Sequence, residues 1–188
     1  VLVKVKMIIN RMPRWGERIN IETWGKRKVK LYALRDFRVV LDTGEKLVSA
    51  TSSWMVLSKT TGRPQRFDQK SDSLPWQPGK DEIKTDLEKV QEPKGGEEIA
   101  TFRVLFSDID VNRHVNSAKY LQWVIDSHPY EHLEATEPRS IELSFLSEAL
   151  PNDQVVVVSE STDDRELCSV RRVDDGKELC RARFEWRH

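Results

Sequence analysis

The sequence Phe106-Ser-Asp-Ile-Asp-Val-Asn-Arg-His-Val-Asn-Ser-Ala-Lys-Tyr120 joins a strand-like segment to a helical one. Five of its polar residues fall at even positions: Asp108, Asp110, Asn112, His114 and Asn116. Carboxylate, amide and imidazole groups at such a junction suit acyl transfer, because they offer a base, a donor to a carbonyl and a helix N-terminus facing an oxyanion. An Asx-rich loop that only caps the next helix is the alternative, and residue types alone leave both open.

The segment after this loop has the spacing of an amphipathic helix, which we predict over residues 117–131. Its apolar stripe begins at Tyr120 and continues through Val124. Asn116 is a suitable N-cap, and Pro129 is expected to mark the end of the helix because proline cannot continue one.

Two segments of the chain repeat one pattern. Asp42–Trp54 and Asp174–Trp186 share Asp, Gly, Leu, Ala and Trp at the same spacing, which predicts two related domains. A strand, a polar loop and a helix precede only the second copy. By analogy we expect about forty to fifty residues, holding a strand and a helix, to precede Val1 in the native protein.

The predicted domain boundaries follow from this repeat. Residues 1–63 form an N-terminal domain that is incomplete at its start, and residues 99–188 form a C-terminal domain. Residues 64–98, rich in Pro, Gly, Lys, Asp and Ser, are predicted to be a linker. A short helix from Asp81 to Val90 is expected within it.

Composition narrows the possible partners. Lys plus Arg and Asp plus Glu number 31 each, so the net charge gives no general attraction to nucleic acid. No apolar run approaches the roughly 18 residues of a membrane span. With Asp175 and Gly176 as a two-residue hairpin loop, Cys168 and Cys180 are predicted on opposite faces of the hairpin, which excludes a disulfide. We therefore expect a reducing, cytoplasmic location.

The segment Ser107–Tyr120 resembles the signature of the plant and bacterial acyl-ACP thioesterases. That signature reads D-x-D-x-N-x-H-V-N-x-x-x-Y, with a Glu about thirty residues later on the next strand, a position held here by Glu148. Further similarity lies in Asn10–Glu17, Ile21–Trp24, Ala50–Trp54 and Thr61–Pro64. The resemblance implies an α+β tandem (double) hotdog, in which each antiparallel sheet wraps around a long helix, with the first strand and helix of the first copy absent from this chain.

The resemblance also implies an enzyme that hydrolyses fatty acyl-ACP thioesters to free fatty acid and ACP in fatty acid biosynthesis. The implied catalytic residues are Asp110, Asn112, His114 and Glu148. Asp110 is the nucleophile or an orienting carboxylate, Glu148 activates water, Asn112 donates to the carbonyl, and His114 orients a carboxylate or carries a proton. Plant members have a Cys after the Glu, whereas this chain has Ala149, so a cysteine nucleophile is excluded at that position.

Two alternatives stay open: an acyl-CoA thioesterase of the same fold and a non-catalytic acyl-binding hotdog protein. No cofactor is expected, and His128, His132 and His188 show no metal-binding spacing with the cysteines. The expected partners are acyl carrier protein and the fatty acyl thioester, and both a monomer and a homodimer with a second copy stay open. Basic candidates for docking the acidic carrier are Arg11, Arg14, Lys26–Lys30, Arg63 and Arg66. Candidates for the acyl tunnel are Met7, Ile9, Trp24, Trp54 and Met55.

Overall fold

The computed structural model describes residues 1–58, 60–67, 76–84, 87–162 and 164–187. It forms two compact units, Val1–Glu88 and Lys89–His188. The described strands are β1 (Leu2–Ile9), β2 (Ile19–Val29), β3 (Tyr32–Leu41), β4 (Lys46–Leu57), β5 (Pro64–Gln65), β6 (Glu97–Arg103), β7 (Glu137–Phe145), β8 (Gln154–Ser161), β9 (Arg165–Arg172) and β10 (Glu178–Arg187). The described α-helices are α1 (Ser117–Asp126) and α2 (Tyr130–Ala135). Neither has the length and apolar character to cross a membrane.

The first unit is an antiparallel sheet in the order β2-β3-β4-β1, with β5 paired to the end of β4. The strand register places Trp24, Asp36 and Thr51 side by side on one face. All three side chains are buried, although two of them are polar. A sheet face of this kind needs a covering segment that supplies hydrogen-bond partners.

Residues 76–84, which we call the strap, supply that cover. Trp76 forms a bridge with Gly25, whose carbonyl accepts the N–H of Gln77 at 2.8 Å. The indole Nε1 of Trp24 donates to the carbonyl of Lys80 at 2.8 Å. The strap lies within the segment predicted as linker, as does the boundary between the units, and residues 68–75 and 85–86 of that segment lie outside the described residues.

The predicted helix from Asp81 to Val90 is wrong for the residues that the structure describes, 81–84 and 87–90, which are irregular. The backbone N–H of Glu82 donates to a carboxylate of β3, Asp36 Oδ2, at 2.7 Å. The ammonium of Lys26 donates to the carbonyl of Ile83. Because these backbone groups bond to the sheet, they are not available for the hydrogen bonds of a helix.

The second unit is an antiparallel sheet in the order β7-β10-β9-β8-β6. Helix α1 packs against β9 and β10. Val155–Val158 of β8 is buried at every residue, as its continuous apolar run predicts. The face beneath the helix is mostly apolar, with Val170 and Phe184 fully buried.

Helix α1 is shorter than predicted. Its N-cap is Asn116, as expected, since Oδ1 accepts the N–H of Ala118 at 3.0 Å. The helix stops at Asp126, and Pro129 begins α2 rather than ending α1. The N–H of Ser127 still bonds to the carbonyl of Trp123 at 3.1 Å, whereas the N–H of His128 bonds to Ile125, three residues back, at 3.1 Å, so α-helical bonding ends before the proline is reached.

The repeated segments form the turn and second strand of two equivalent hairpins, β3-β4 and β9-β10. Gly44 and Gly176 occupy the same turn position with φ of 88° and 67°, a conformation that glycine adopts without strain. The repeated leucines, Leu47 and Leu179, are both fully buried. The pattern in the sequence therefore marks one structural unit used twice.

The predicted register of the second hairpin is wrong by one residue. An irregularity between Glu178 and Cys180 shifts the pairing, so that Cys180 lies opposite Val170 and Cys168 lies opposite Ala182. The two thiols therefore share a face instead of lying on opposite ones. Both are buried and free, and burial raises the pKa of each thiol.

Candidate active site

The loop between β6 and α1 is closed into a compact turn by its own backbone. Ile109 and Val115 form an antiparallel bridge, and the N–H of Asp110 donates to the carbonyl of His114 at 2.8 Å. Arg113 adopts a left-handed conformation, with φ of 65°, which lets the chain reverse within the turn. Asp110, Asn112 and His114, the three predicted catalytic residues of this loop, thus lie on one short closed turn.

The carboxylate of Asp110 organises this turn. Its Oδ1 accepts the backbone N–H of Asn112 at 2.8 Å and that of His114 at 3.3 Å. Desolvation acts to raise the pKa of Asp110, but these two hydrogen bonds and one from the Asn112 side chain outweigh it and lower the pKa. Asp110 is therefore an ionised carboxylate whose lone pairs are partly engaged by its own loop.

The structure brings His114 and Glu148 together. The imidazole Nδ1 of His114 lies 3.2 Å from Oε1 of Glu148, which follows β7. The side chains are 54% and 55% exposed, so both can meet a substrate and water from outside the second unit. A carboxylate paired with one ring nitrogen fixes the orientation of the ring and leaves the other nitrogen for proton transfer.

The remaining polar residues of the loop have structural partners. Asp108 is buried, and its Oδ2 accepts the N–H of Leu105 at 2.8 Å while Oδ1 lies 3.1 Å from the ammonium of Lys119. The main chain of Asp108 accepts the N–H of Asn116 at 2.8 Å. Asp108 thus stabilises the strand-to-helix junction, which is the Asx-type interpretation of this residue.

Two further side chains hold the segment that contains Glu148. The hydroxyl of Tyr120 accepts the N–H of Ala149 at 2.9 Å, and Nη2 of Arg172 donates to the carbonyl of Glu148 at 2.9 Å. Tyr120 belongs to the signature but was predicted only as part of an apolar stripe. Arg172 has no sequence signal for this role, because its contact depends on the register of β9.

Some predicted docking and tunnel residues lie in other environments. Lys26 is fully buried, so its inclusion in an exposed basic patch is wrong. Arg11 forms ion pairs with Glu17 and Glu45, each at 2.8 Å. Trp24 is buried against the strap, which makes it part of the fold of the first unit.

Within the described residues, no three His, Cys, Asp or Glu side chains meet in a way that could hold a metal ion. His188 lies outside those residues. His128 and His132 stack on each other near Trp186, with ring centroids 5.1 Å apart for the two histidines. The two cysteines of the second unit are free and buried, an environment that leaves a thiol unreactive.

Comparisons with known proteins cover the whole chain. Residues 1–71 match the family model for the acyl-ACP thioesterase N-terminal domain, and residues 91–188 match that for the C-terminal domain. The acyl-[acyl-carrier-protein] hydrolase FATB1, chloroplastic, of Cuphea viscosissima is 29% identical over 199 residues, covering 100% of this chain and 48% of the relative. The palmitoyl-acyl carrier protein thioesterase, chloroplastic, of Gossypium hirsutum is 29% identical over 205 residues, covering 100% and 49%. The chain spans about half the length of these curated relatives.

Solved structures give the same result for the fold. The 12:0-ACP thioesterase from Umbellularia californica superposes with a TM-score of 0.84 at 26% identity, covering 100% of this chain and 74% of that one. An acyl-ACP thioesterase from Bacteroides thetaiotaomicron gives 0.82 at 23% identity, covering 100% and 76%, and supports the fold alone. The expected α+β hotdog fold is therefore confirmed. With both domain models matched in order along its length, the chain belongs to the acyl-ACP thioesterase family.

Proposed function

We propose that this chain hydrolyses fatty acyl-ACP thioesters to free fatty acid and ACP, as a step of fatty acid biosynthesis. The observation that carries the proposal is the pair formed by His114 and Glu148, 3.2 Å apart, beside a loop organised by Asp110. The names of the relatives, which include palmitoyl-ACP, oleoyl-ACP and 12:0-ACP thioesterases, support this substrate class. Because those names differ in the acyl group, they leave the chain length open.

In the proposed reaction, water attacks the thioester carbonyl carbon while Glu148 accepts its proton. Glu148 activates the water, and His114 orients the carboxylate and can carry the proton to the leaving sulfur. The carbon–sulfur bond then breaks, giving a carboxylic acid and the thiol of the carrier. Thiols leave readily, so this step needs less acid assistance than release of an amine or an alcohol.

Asn112 is the proposed donor to the carbonyl oxygen. Its amide has two N–H groups, and its side chain is exposed on the turn that Asp110 organises. One N–H is then available for the negative charge that develops on oxygen. Because Asp110 is engaged by Asn112 and His114, we propose for it the role of orienting carboxylate rather than nucleophile. Every group used in this scheme is a side chain or water, and no cofactor is proposed.

A hydrolase for acyl-CoA is the second candidate, because the thioester chemistry is the same and the difference lies in recognition of the thiol. A carrier protein presents an acidic surface, which basic residues are suited to receive. Arg14, Arg63 and Arg66 are exposed and stay in this proposal, whereas Lys26 leaves it. A cytoplasmic location for the reaction also stays a proposal.

The test is hydrolysis of matched acyl-ACP and acyl-CoA panels by the full chain and its Glu148→Gln, His114→Ala and Asp110→Asn variants. Removal of a group that acts on the reacting atoms should lower kcat by about 100-fold or more. Asp126→Asn and Glu134→Gln are matched controls, since both side chains are exposed on the helices of the same unit. We expect these two controls to hydrolyse acyl-ACP at the wild-type rate.

The outcomes separate the candidates. Turnover of acyl-ACP well above acyl-CoA supports the proposal, and the reverse preference supports the acyl-CoA hydrolase. Tight acyl binding without turnover of either substrate would instead indicate a binding protein that retains the loop for structure.

A further inference from the structure

One peptide group next to Glu148 is held at both of its ends by side chains. The carbonyl of Glu148 accepts Nη2 of Arg172 at 2.9 Å, and the N–H of Ala149 donates to the hydroxyl of Tyr120 at 2.9 Å. These two atoms belong to the same peptide bond, which is planar. Fixing both ends therefore fixes the orientation of that plane and of the Cα of Glu148.

The two side chains come from different elements. Tyr120 lies in α1, directly after the loop that holds His114, and is 3% exposed. Burial first of all raises the pKa of Tyr120, to about 12, so its hydroxyl stays protonated at neutral pH. Arg172 is the last residue of β9 and lies far from that loop in sequence.

Arg172 is itself immobilised. Its Nε donates to Asp153 at 2.8 Å and its Nη1 to Asp175 at 2.9 Å, so the planar guanidinium has three fixed partners. Asp153 also accepts the N–H of Leu150 at 2.8 Å, which closes the turn that follows Glu148. The backbone on the far side of Glu148 from β7 is thus tied to the sheet.

We infer that Tyr120 and Arg172 are positioning residues, which hold the Glu148–Ala149 peptide so that the Glu148 carboxylate meets Nδ1 of His114. The inference rests on the proposed function for its kinetic consequence, but its geometric content does not need a substrate. A misplacement of about 1 Å in a reacting group can cost on the order of 100-fold in rate. Supporting residues that hold a catalytic side chain by packing and hydrogen bonds prevent such misplacement.

The kinetic test uses Tyr120→Phe, which keeps the ring and removes the acceptor, and Arg172→Lys, which keeps the charge and loses the fork. For each we expect kcat for acyl-ACP to fall roughly tenfold or more while KM changes less than about twofold. Tyr130→Phe and Arg171→Lys are matched controls, because the Tyr130 hydroxyl bonds Glu134 at the surface and Arg171 pairs with Glu92. Both controls are expected to keep wild-type kcat.

A double-mutant cycle distinguishes positioning from a general effect on the fold. In the Glu148→Gln background, Tyr120→Phe and Arg172→Lys should cost no more than about twofold in the residual rate, because groups that act as a unit are not additive. An equal loss in both backgrounds would overturn the inference. Crystal structures of the variants provide the second measurement, and a His114–Glu148 contact that stays at 3.2 Å in both would also overturn it.

These measurements fail separately from the proposed function. If the wild-type chain hydrolyses neither acyl-ACP nor acyl-CoA, the proposed function is wrong. The crystal structures then still decide whether Tyr120 and Arg172 set the position of Glu148.

Discussion

The two units contain the same hairpin, but its buried face is covered by polar groups in the first unit and by mostly apolar groups in the second. In the first unit the face with Asp36 and Thr51 is buried beneath the strap, through hydrogen bonds and charge pairs. In the second unit the face with Val170 and Phe184 is buried beneath α1 and is mostly apolar. One strand-turn-strand pattern thus accepts either a polar or an apolar cover, provided that every buried polar group is satisfied.

The difference bears on where the chemistry lies. Helix α1 packs on β9 and β10 mainly through apolar contacts, and the side chains of Asn112 and His114 in the loop before it are exposed. In the strap, the polar groups form hydrogen bonds with the sheet. Glu82 accepts hydrogen bonds from Arg38 and from Ser49, the latter at 2.6 Å. Desolvation acts to raise the pKa of Glu82, yet these donors lower it to about 2.

The largest effect on stability is expected at Lys26, a buried charge beneath the polar cover of the first unit. Its ammonium is fully buried, 3.7 Å from the fully buried Asp36. Lys26→Met leaves that carboxylate without its counter-charge, so we expect a loss of about 3–5 kcal/mol in the free energy of unfolding. Urea unfolding followed by tryptophan fluorescence measures it.

Lys84→Met is the matched control, because Lys84 is an exposed lysine of the same strap. It should change the free energy of unfolding by less than about 0.5 kcal/mol. Equal effects of the two variants would mean that the buried pair contributes no more to stability than an exposed lysine.

The second prediction concerns a buried leucine that the two units share. Leu47 and Leu179 occupy the same place in the repeat and are both fully buried. Leu47→Ala and Leu179→Ala should each cost about 2–5 kcal/mol, from lost burial and the cavity left behind. Calorimetry of both variants tests whether the repeat has equal energetic weight in both units, and a difference of more than about 2 kcal/mol would contradict that.

The sequence predicted the elements that depend on local pattern. The hairpins followed from a repeated turn in which Gly44 and Gly176 both need positive φ, and the cap of α1 followed from Asn116. The predicted catalytic loop also depends on local contacts, since Asp110 bonds residues two and four positions later. These features need no knowledge of distant segments.

Features that depend on distant contacts were missed. The strap reads as a linker because its partners, such as Asp36 for Glu82, lie 46 residues away in sequence. The contact of Arg172 with Glu148 depends on strand register, and the irregularity near Cys180 that shifts this register has no signal in the residue pattern. The early end of α1 was missed because the N–H of His128 bonds three residues back, to Ile125, before Pro129 is reached.

A third prediction concerns the buried ion pair of the second unit, His128 and Glu166. Desolvation opposes both charges, but Nε2 of His128 lies 2.9 Å from Glu166, which raises the pKa of His128 and lowers that of Glu166 to about 2. The pair borders a cavity of about 300 Å³, so water can partly replace a lost partner. We therefore expect His128→Asn to cost roughly 1.5–3 kcal/mol, less than Lys26→Met.

The effect of His128→Asn should depend on pH with a defined sign. The contribution of His128 is complete below its ordinary pKa of 6.5 and is lost as pH rises through its raised folded value. The contribution of Glu166 is complete above its ordinary pKa of 4.5 and is lost as pH falls towards 2. The difference in unfolding free energy between wild type and variant should therefore be largest between pH 4.5 and 6.5. A difference that grows steadily above that range would contradict this assignment.

The smallest effect is expected at Gly25, where the strap meets β2. A Cβ added at Gly25 would lie 2.7 Å from the ring of Trp76, so the indole must move for Gly25→Ala to fold. Because Trp76 is only half-buried and can tilt, the cost should stay at about 1–2 kcal/mol, the lower part of the range for overpacking. Gly95→Ala is the control, since a Cβ there meets nothing within 4 Å. If Gly25→Ala is as harmless as the control, Trp76 does not anchor the strap. The hydrogen bonds and ion pair of Asp36 would then hold the strap in place without Trp76. The cover of the first unit would in that case depend on polar contacts alone, unlike the mostly apolar cover of the second.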